Sequence, residues 1–524
     1  MKERSFIPLA GTARSSGAAL ALLLILQGGA FAQGVACGEL ADLKVNDTNF
    51  LSSAVVPKKP NVPAYCRVLG YVRPAINFEI RLPVEDWNGK FYMAGCGGLC
   101  GSLPDDQPGL INYSFEGLER KYAVAVTDSG HWGADMSDAR WAYDNPVARA
   151  DYSYRAVTET ARVAKAITEA YYGRHPRHSY FNGCSNGGRQ ALLEAQRFPE
   201  DFDGIIAASP ITNSATFAAQ WIWNVQADTD GQNRPILGPG KVRLLSEAVT
   251  AACADEEGVI ADPRTCHFDP SVLRCEGRSD RRGERQSGES CLTAAEIAAV
   301  RKLYAGPHSK SGQALHEGLP LGSESLWITK DYTLLGPDGS QKITMENGLR
   351  YMMYEPHDRG PIEVMRFDLD RDLPKIKATT DLNRADDPEL SRFKARGGKL
   401  LMYAGWADPF ATPLAPIQYY EAVEEKLGGR EVAQSTLRLF MVPGMSHCGT
   451  SREAPGIDER GIDALTALEQ WVERDAAPAH LPTTKFDGQG RVRWTRPVCV
   501  YPQVATYGGS GAREESRNWV CAER

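Results

Sequence analysis

Apolar and polar positions alternate along residues 76–82, a turn follows at Trp87-Asn88-Gly89, and an apolar run resumes at 90–94. This pattern predicts two strands joined by a tight turn. Residues 122–127 form a short β-branched run ending at Asp128-Ser129-Gly130, a strand followed by a loop. Over 151–172 the apolar positions Ala156, Val157, Ala161, Val163, Ala164 and Ile167 fall at helical spacing, and Gly173 closes the helix. Residues 178–182 read as a strand, 187–198 as a helix, and 204–209 as a strand stopped by Pro210. Alternation of strand and helix predicts an α/β fold with a mostly parallel sheet covered by helices.

The alternation stops at 211 and resumes near 393. Between them the chain is rich in Gly, Pro and charge, with weak strand signals and a very polar stretch at 277–289. After it come a buried strand at 399–403 (KLLMY), a helix at 416–427, a strand at 437–442 (LRLFMV) and a helix at 461–474. Residues 33–210 and 393–524 are therefore expected to form one catalytic domain, with 211–392 inserted as a lid between two strands of one sheet. Residues 37–75 read as a lead-in.

The first 32 residues are of another kind. Lys2, Arg4 and Arg14 precede an uncharged apolar run at 18–26, and Ala30-Phe31-Ala32 offers a signal-peptidase site. That run is too short to span about 30 Å of hydrocarbon, so a cleaved signal peptide, and a secreted or periplasmic protein, is expected. No later stretch is long and apolar enough to cross a bilayer. A net charge of -7 gives no basic footprint for nucleic acid. In an oxidising compartment, the even count of 12 cysteines argues for disulfides rather than zinc.

Gly183-Cys184-Ser185-Asn186-Gly187 is a GxSxG sequence between a predicted strand and a predicted helix. Ester hydrolysis needs a hydroxyl exposed on such a turn, with glycines relieving the crowding. The hydroxyl also needs a base, and the base an orienting acid, in the chain order Ser, Asp, His for this fold. Asp408 follows the KLLMY strand and His447 follows the LRLFMV strand, both in the required order. His131, His175 and His178 precede the serine and do not fit it. Closure of a Ser185, Asp408, His447 triad would bring Cys184 and Cys448 close enough to pair. The oxyanion needs N–H donors: Asn186 after the nucleophile, and Gly97 or Gly98 after the strand at 90–94. Cys96 and Cys100 can close a small loop around those glycines.

GCSNGGRQ, YAGWADP and PGMSHCG resemble the tannase and feruloyl esterase family, which includes a mono(2-hydroxyethyl) terephthalate hydrolase. The resemblance covers nearly all of the chain after the signal peptide. It implies an α/β-hydrolase fold, the triad above bridged by Cys184–Cys448, and a lid shaping an acyl pocket. It also implies the pairs Cys37–Cys66, Cys253–Cys266, Cys275–Cys291 and Cys499–Cys521, leaving Cys96 with Cys100. Family substrates are small esters of aromatic acids, and no cofactor is needed for the chemistry. The family lid usually holds calcium. Here the matching segment after Cys253 is shorter, leaving Asp255, Glu257 and the Val259 carbonyl as ligands, and weakened or absent calcium binding is expected.

An aromatic acyl group needs a flat apolar slot. Trp221, Trp223, Trp327, Tyr351, Met352, Met353, Tyr354 and Phe410 are the aromatic and methionine candidates, and the sequence does not choose among them. Hydrolysis of aromatic esters through an acyl-enzyme is the leading expectation. A general carboxylesterase and a non-catalytic scaffold are the alternatives.

Overall fold

Nine strands make the main sheet, in the order β1-β2-β3-β5-β4-β6-β7-β8-β9. They are β1 (Thr48–Val56), β2 (Tyr65–Val72), β3 (Ile76–Pro83), β4 (Lys90–Ala94), β5 (Ala123–Thr127), β6 (His178–Cys184), β7 (Gly204–Ala208), β8 (Lys399–Gly405) and β9 (Leu437–Val442). From β5 to β9 the pairing is parallel, and β1, β2 and β3 extend the sheet antiparallel beyond β5. The computed structural model describes residues 34–523 apart from 61, 104–112, 276–289, 331 and 452. The expected signal peptide lies outside the described residues.

The parallel strands are buried on both faces, so neighbouring residues serve different cores. Phe91, Met93, Phe181, Ile205, Leu400 and Met402 face one core, shared with helices α1 (Ala156–Tyr172) and α2 (Asn186–Arg197). Their neighbours Tyr92, Tyr180, Ile206, Leu401 and Tyr403 face the other, closed by Leu465, Leu468 and Trp471 of the helix Ala464–Arg474. At about 25 cal/mol per Å² of apolar surface, burial of these side chains is the main force holding the helices to the sheet.

Two regions differ from the sequence reading. The lead-in contributes the two outer strands. β1 is an edge strand with no buried residue and a one-residue bulge at Leu51, so it lacks the alternation that announces a half-buried strand. The intervening chain is helical rather than weakly stranded: α3 (Ser214–Ala227), α4 (Pro239–Cys253), α5 (Ala294–Ala305), α6 (Ser340–Tyr351) and α7 (Leu369–Thr380). α3 buries Ala218, Ala219, Gln220, Trp221 and Ile222 in succession, which erases a helical stripe. Its start is set locally, by Asn213 accepting the N–H groups of Ala215 and Thr216. These helices leave the sheet after β7 and return at β8, yet β7 and β8 pair directly with Gly204 opposite Lys399.

Beyond the last core helix, two antiparallel ribbons complete the described chain, β10 (His480–Phe486) with β11 (Val492–Cys499), and β12 (Val504–Tyr507) with β13 (Trp519–Ala522). Six disulfides join Cys37–Cys66, Cys96–Cys100, Cys184–Cys448, Cys253–Cys266, Cys275–Cys291 and Cys499–Cys521.

Candidate active site

Ser185 sits between the end of β6 and the start of α2 with φ 62° and ψ -121°. A β-carbon at Gly183 would come within 2.4 Å of the Gly187 carbonyl oxygen, and one at Gly95 within 2.8 Å of the Gly187 Cα. Larger residues would push the turn open, so the glycines permit the strained serine dihedrals that expose its hydroxyl.

Asp408 follows β8 and is fully buried. Its Oδ1 accepts the N–H groups of Phe410 at 2.8 Å and Ala411 at 3.0 Å. Its Oδ2 lies 2.7 Å from His447 Nδ1, in the loop after β9. A carboxylate held by two backbone donors fixes the tautomer of the ring: Nδ1–H donates to the acid, which leaves Nε2 as the basic nitrogen. Phe410 stacks on the same imidazole, with ring centroids 5.4 Å apart and an interplanar angle of 25°. The Cys184–Cys448 disulfide, with a Cα–Cα distance of 5.9 Å, joins the neighbours of Ser185 and His447. Both residues line one cavity of about 280 Å³.

Behind the serine, side chains bind the turn to the 96–100 loop. Asn186 Nδ2 donates to the Cys96 carbonyl at 3.2 Å, and Gln190 Oε1 accepts the Cys96 N–H at 3.1 Å. Tyr152 OH donates to Asn186 Oδ1 at 3.0 Å, and Arg189 Nε donates to the same oxygen at 2.7 Å. Tyr152 lies in a π-helical turn, Asp151–Arg155, that runs into α1. Such turns often occur at functional sites, but the sequence shows only a continuous helical pattern there. Arg189 and Gln190 close the GCSNGGRQ motif but were given no role from the sequence, and Tyr152 belongs to no motif, so the sequence reading missed what all three do.

Asn186 opens α2, so its N–H has no intrahelical acceptor. In the facing loop the N–H groups of Cys96, Leu99 and Cys100 are bonded to Gln190, Met136 and Gly97. Gly98, at φ +56°, borders the cavity, whereas Gly97 is not among its lining residues. Of the aromatic and methionine candidates, Trp221, Met352, Met353 and Phe410 line the cavity. Trp327 is buried in a separate core cluster, and Trp223 donates to the Lys302 carbonyl instead. Tyr351 packs edge-on to Tyr143, and Tyr354 OH donates to the Pro361 carbonyl. Phe217 and Met345 complete the apolar wall without having been singled out in the sequence.

Asp255, Glu257 and Val259 lie together, but around a guanidinium. Arg496 Nη1 is 2.8 Å from Asp255 Oδ2, and Arg496 Nη2 is 2.5 Å from Glu257 Oε2. The second oxygen of Asp255 accepts the N–H groups of Glu257 and Val259, and the Val259 carbonyl accepts the Asp255 N–H. Trp494 and Trp519 stack near the guanidinium, at 4.8 and 4.3 Å. Calcium needs six to eight oxygens. These carboxylates are already paired with a cation, and the donor set does not fit such a cage. Among the described residues no cluster of three or more His, Cys, Asp and Glu could hold a metal ion.

The parallel sheet, the strand-turn-helix around Ser185 and the acid and histidine after later strands define the α/β-hydrolase class. The chain belongs to the tannase and feruloyl esterase family, whose model matches residues 60–522. It is 31% identical over 502 residues to a probable feruloyl esterase of Arthroderma benhamiae, covering 89% of this chain and 87% of that protein. It is 30% identical over 534 residues to the mono(2-hydroxyethyl) terephthalate hydrolase of Piscinibacter sakaiensis, covering 88% of this chain and 85% of that protein. Among solved structures, feruloyl esterase B from Aspergillus oryzae superposes with a TM-score of 0.80 at 23% identity, covering 93% of this chain and all of that one. The tannin acyl hydrolase of Aspergillus niger superposes with a TM-score of 0.72 at 21% identity, covering 92% of each chain. This protein is accordingly a carboxylic ester hydrolase.

Proposed function

We propose that the protein is an exported serine esterase that cleaves small esters of aromatic acids through an acyl-enzyme on Ser185. The observation carrying this reading is the unbroken linkage Asp408–His447 and Cys448–Cys184 across the nucleophile turn. His447 Nε2 takes the Ser185 proton as Oγ attacks the ester carbonyl, while Asp408 steadies the imidazolium. The N–H groups of Asn186 and Gly98 receive the oxyanion. Collapse expels the alcohol with the proton from His447, and water then releases the acid by the same steps in reverse. No cofactor enters, and the chain works without calcium, in keeping with the pairing of Asp255 and Glu257 to Arg496. The insertion between β7 and β8 acts as the lid, since its helices supply Trp221, Met345, Met352 and Met353 to the cavity. Six disulfides support export through the N-terminal signal peptide.

The test is hydrolysis of methyl ferulate, methyl gallate and p-nitrophenyl butyrate by the wild type and Ser185→Ala. Serine-dependent turnover of an aromatic ester well above butyrate is expected. Turnover of butyrate alone would move the protein to the general carboxylesterases, and turnover retained by Ser185→Ala would remove the serine mechanism.

A further inference from the structure

An N–H group that waits for a developing charge helps only if its peptide is already held in place. Along residues 95–101 the N–H groups of Gly95, Cys96, Leu99, Cys100 and Gly101 are bonded to Asn182, Gln190, Met136, Gly97 and Asp128. Among the described residues, those of Gly97 and Gly98 have no acceptor, and Gly98 borders the cavity. Asn186 and Gln190 hold the near end of this loop at Cys96, at 3.2 and 3.1 Å.

The far end is held by a histidine. His131 Nε2 lies 2.7 Å from the Leu99 carbonyl oxygen, and its Nδ1 lies 3.2 Å from the Ser129 carbonyl oxygen. A carbonyl only accepts, so the nitrogen facing it must carry hydrogen. A neutral imidazole has one N–H, and the shorter contact assigns it to Nε2. Burial pushes the His131 pKa down, which opposes a second proton on Nδ1. The ring is 6% exposed and stacks on Trp141, with centroids 3.7 Å apart and planes at 17°. It does not line the cavity, whereas Leu99 does, so any effect on the reaction passes through Leu99. Standing before Ser185 in the chain excludes His131 as the general base and leaves it free for this other task.

We propose that His131 is a positioning residue: by donating Nε2–H to the Leu99 carbonyl, it holds the 96–100 loop so that the Gly98 N–H meets the oxyanion. The inference rests on the serine-esterase reading and deepens it, adding a second histidine that supports the hole rather than moving a proton.

Three substitutions test it, with rates taken per active site titrated by a fluorophosphonate. His131→Phe keeps a ring against Trp141 and removes the donor. It should lower kcat on methyl ferulate about 10- to 100-fold and change KM little. His131→Gln brings an amide N–H to about the place of Nε2 and should recover most of the rate. His131→Asn reaches only the place of Nδ1 and should not, so the Gln and Asn pair carries the contrast if the Phe variant fails to fold. A phenethyl trifluoromethyl ketone adds Ser185 Oγ to its carbonyl carbon, and the carbonyl oxygen becomes an oxyanion in the hole. Its affinity should fall in step with kcat/KM across the variants, while the matching methyl ketone, which forms no stable adduct, should bind as before.

A kcat in the Asn variant, or in a folded Phe variant, within about twofold of wild type would overturn the proposal. So would equal losses for both ketones, which would make His131 a general support of the fold. Turnover retained by Ser185→Ala would instead sink the serine-esterase reading, and the proposal with it.

Discussion

Cys184 and Cys448, 264 residues apart in the chain, form one disulfide whose two ends are the immediate neighbours of Ser185 and His447. The bond constrains two loops that the sheet alone holds only through β6 and β9, strands separated by β7 and β8. Small drifts in the distance from nucleophile to base cost rate steeply.

Replacing both cysteines by alanine is therefore expected to lower kcat by about 10- to 100-fold. KM should change little, because neither sulfur lines the cavity. Circular dichroism would confirm that the fold persists, and an unaltered kcat in a folded variant would show that the sheet positions the triad unaided.

Arg496 joins two distant parts of the chain, since Asp255 and Glu257 lie just after α4 while Arg496 lies on β11. Removing the guanidinium would leave two partly buried carboxylates facing each other. Arg496→Met should lower stability by about 3 kcal/mol, read as a shift in the denaturation midpoint. A chelator should leave the melting temperature of the wild type unchanged. A drop of several degrees on chelation, reversed by calcium, would show that a divalent ion shares this site.

Two buried acids between β7 and β8 make stability depend on pH. Burial raises Asp228 to about 7, offset in part by the Leu237 and Ile236 N–H groups, and burial raises Glu324 to about 7. Both folded values exceed the ordinary carboxylate value, so folding favours the protonated forms. Their stabilising contribution is complete below about pH 4 and is lost as pH rises through 7. Asp228→Asn keeps an acceptor for Leu237 and removes the titration. Relative to wild type, this variant should gain about 1–2 kcal/mol between pH 5 and pH 8. A gap that stays constant with pH would remove Asp228 from the account.

The sequence revealed the catalytic core because its strands are buried on both faces and its helices are amphipathic. Residues 90–94 and 437–442 match β4 and β9 to the residue, and Ser185, Asp408 and His447 stand in the turns that follow β6, β8 and β9. The helices between β7 and β8 were hidden by a different physics. α3 is packed among other helices and buried on most sides, Gln220 and Asn224 included, so it shows no stripe. β1 lies at an edge with no buried residue, and its bulge at Leu51 interrupts the alternation. The partnership of Arg496 with Asp255 was invisible for a simpler reason: no local pattern links residues 241 positions apart. Tyr152 and Arg189 act through backbone carbonyls and one amide oxygen, contacts that leave no spacing signature.

The most direct test of the central claim is covalent labelling by a fluorophosphonate, followed by peptide mass spectrometry. The account predicts one adduct, on the peptide carrying Ser185, formed in step with loss of esterase activity and absent from Ser185→Ala. Full activity after complete labelling, or an adduct on another serine that tracks the loss of activity, would contradict it.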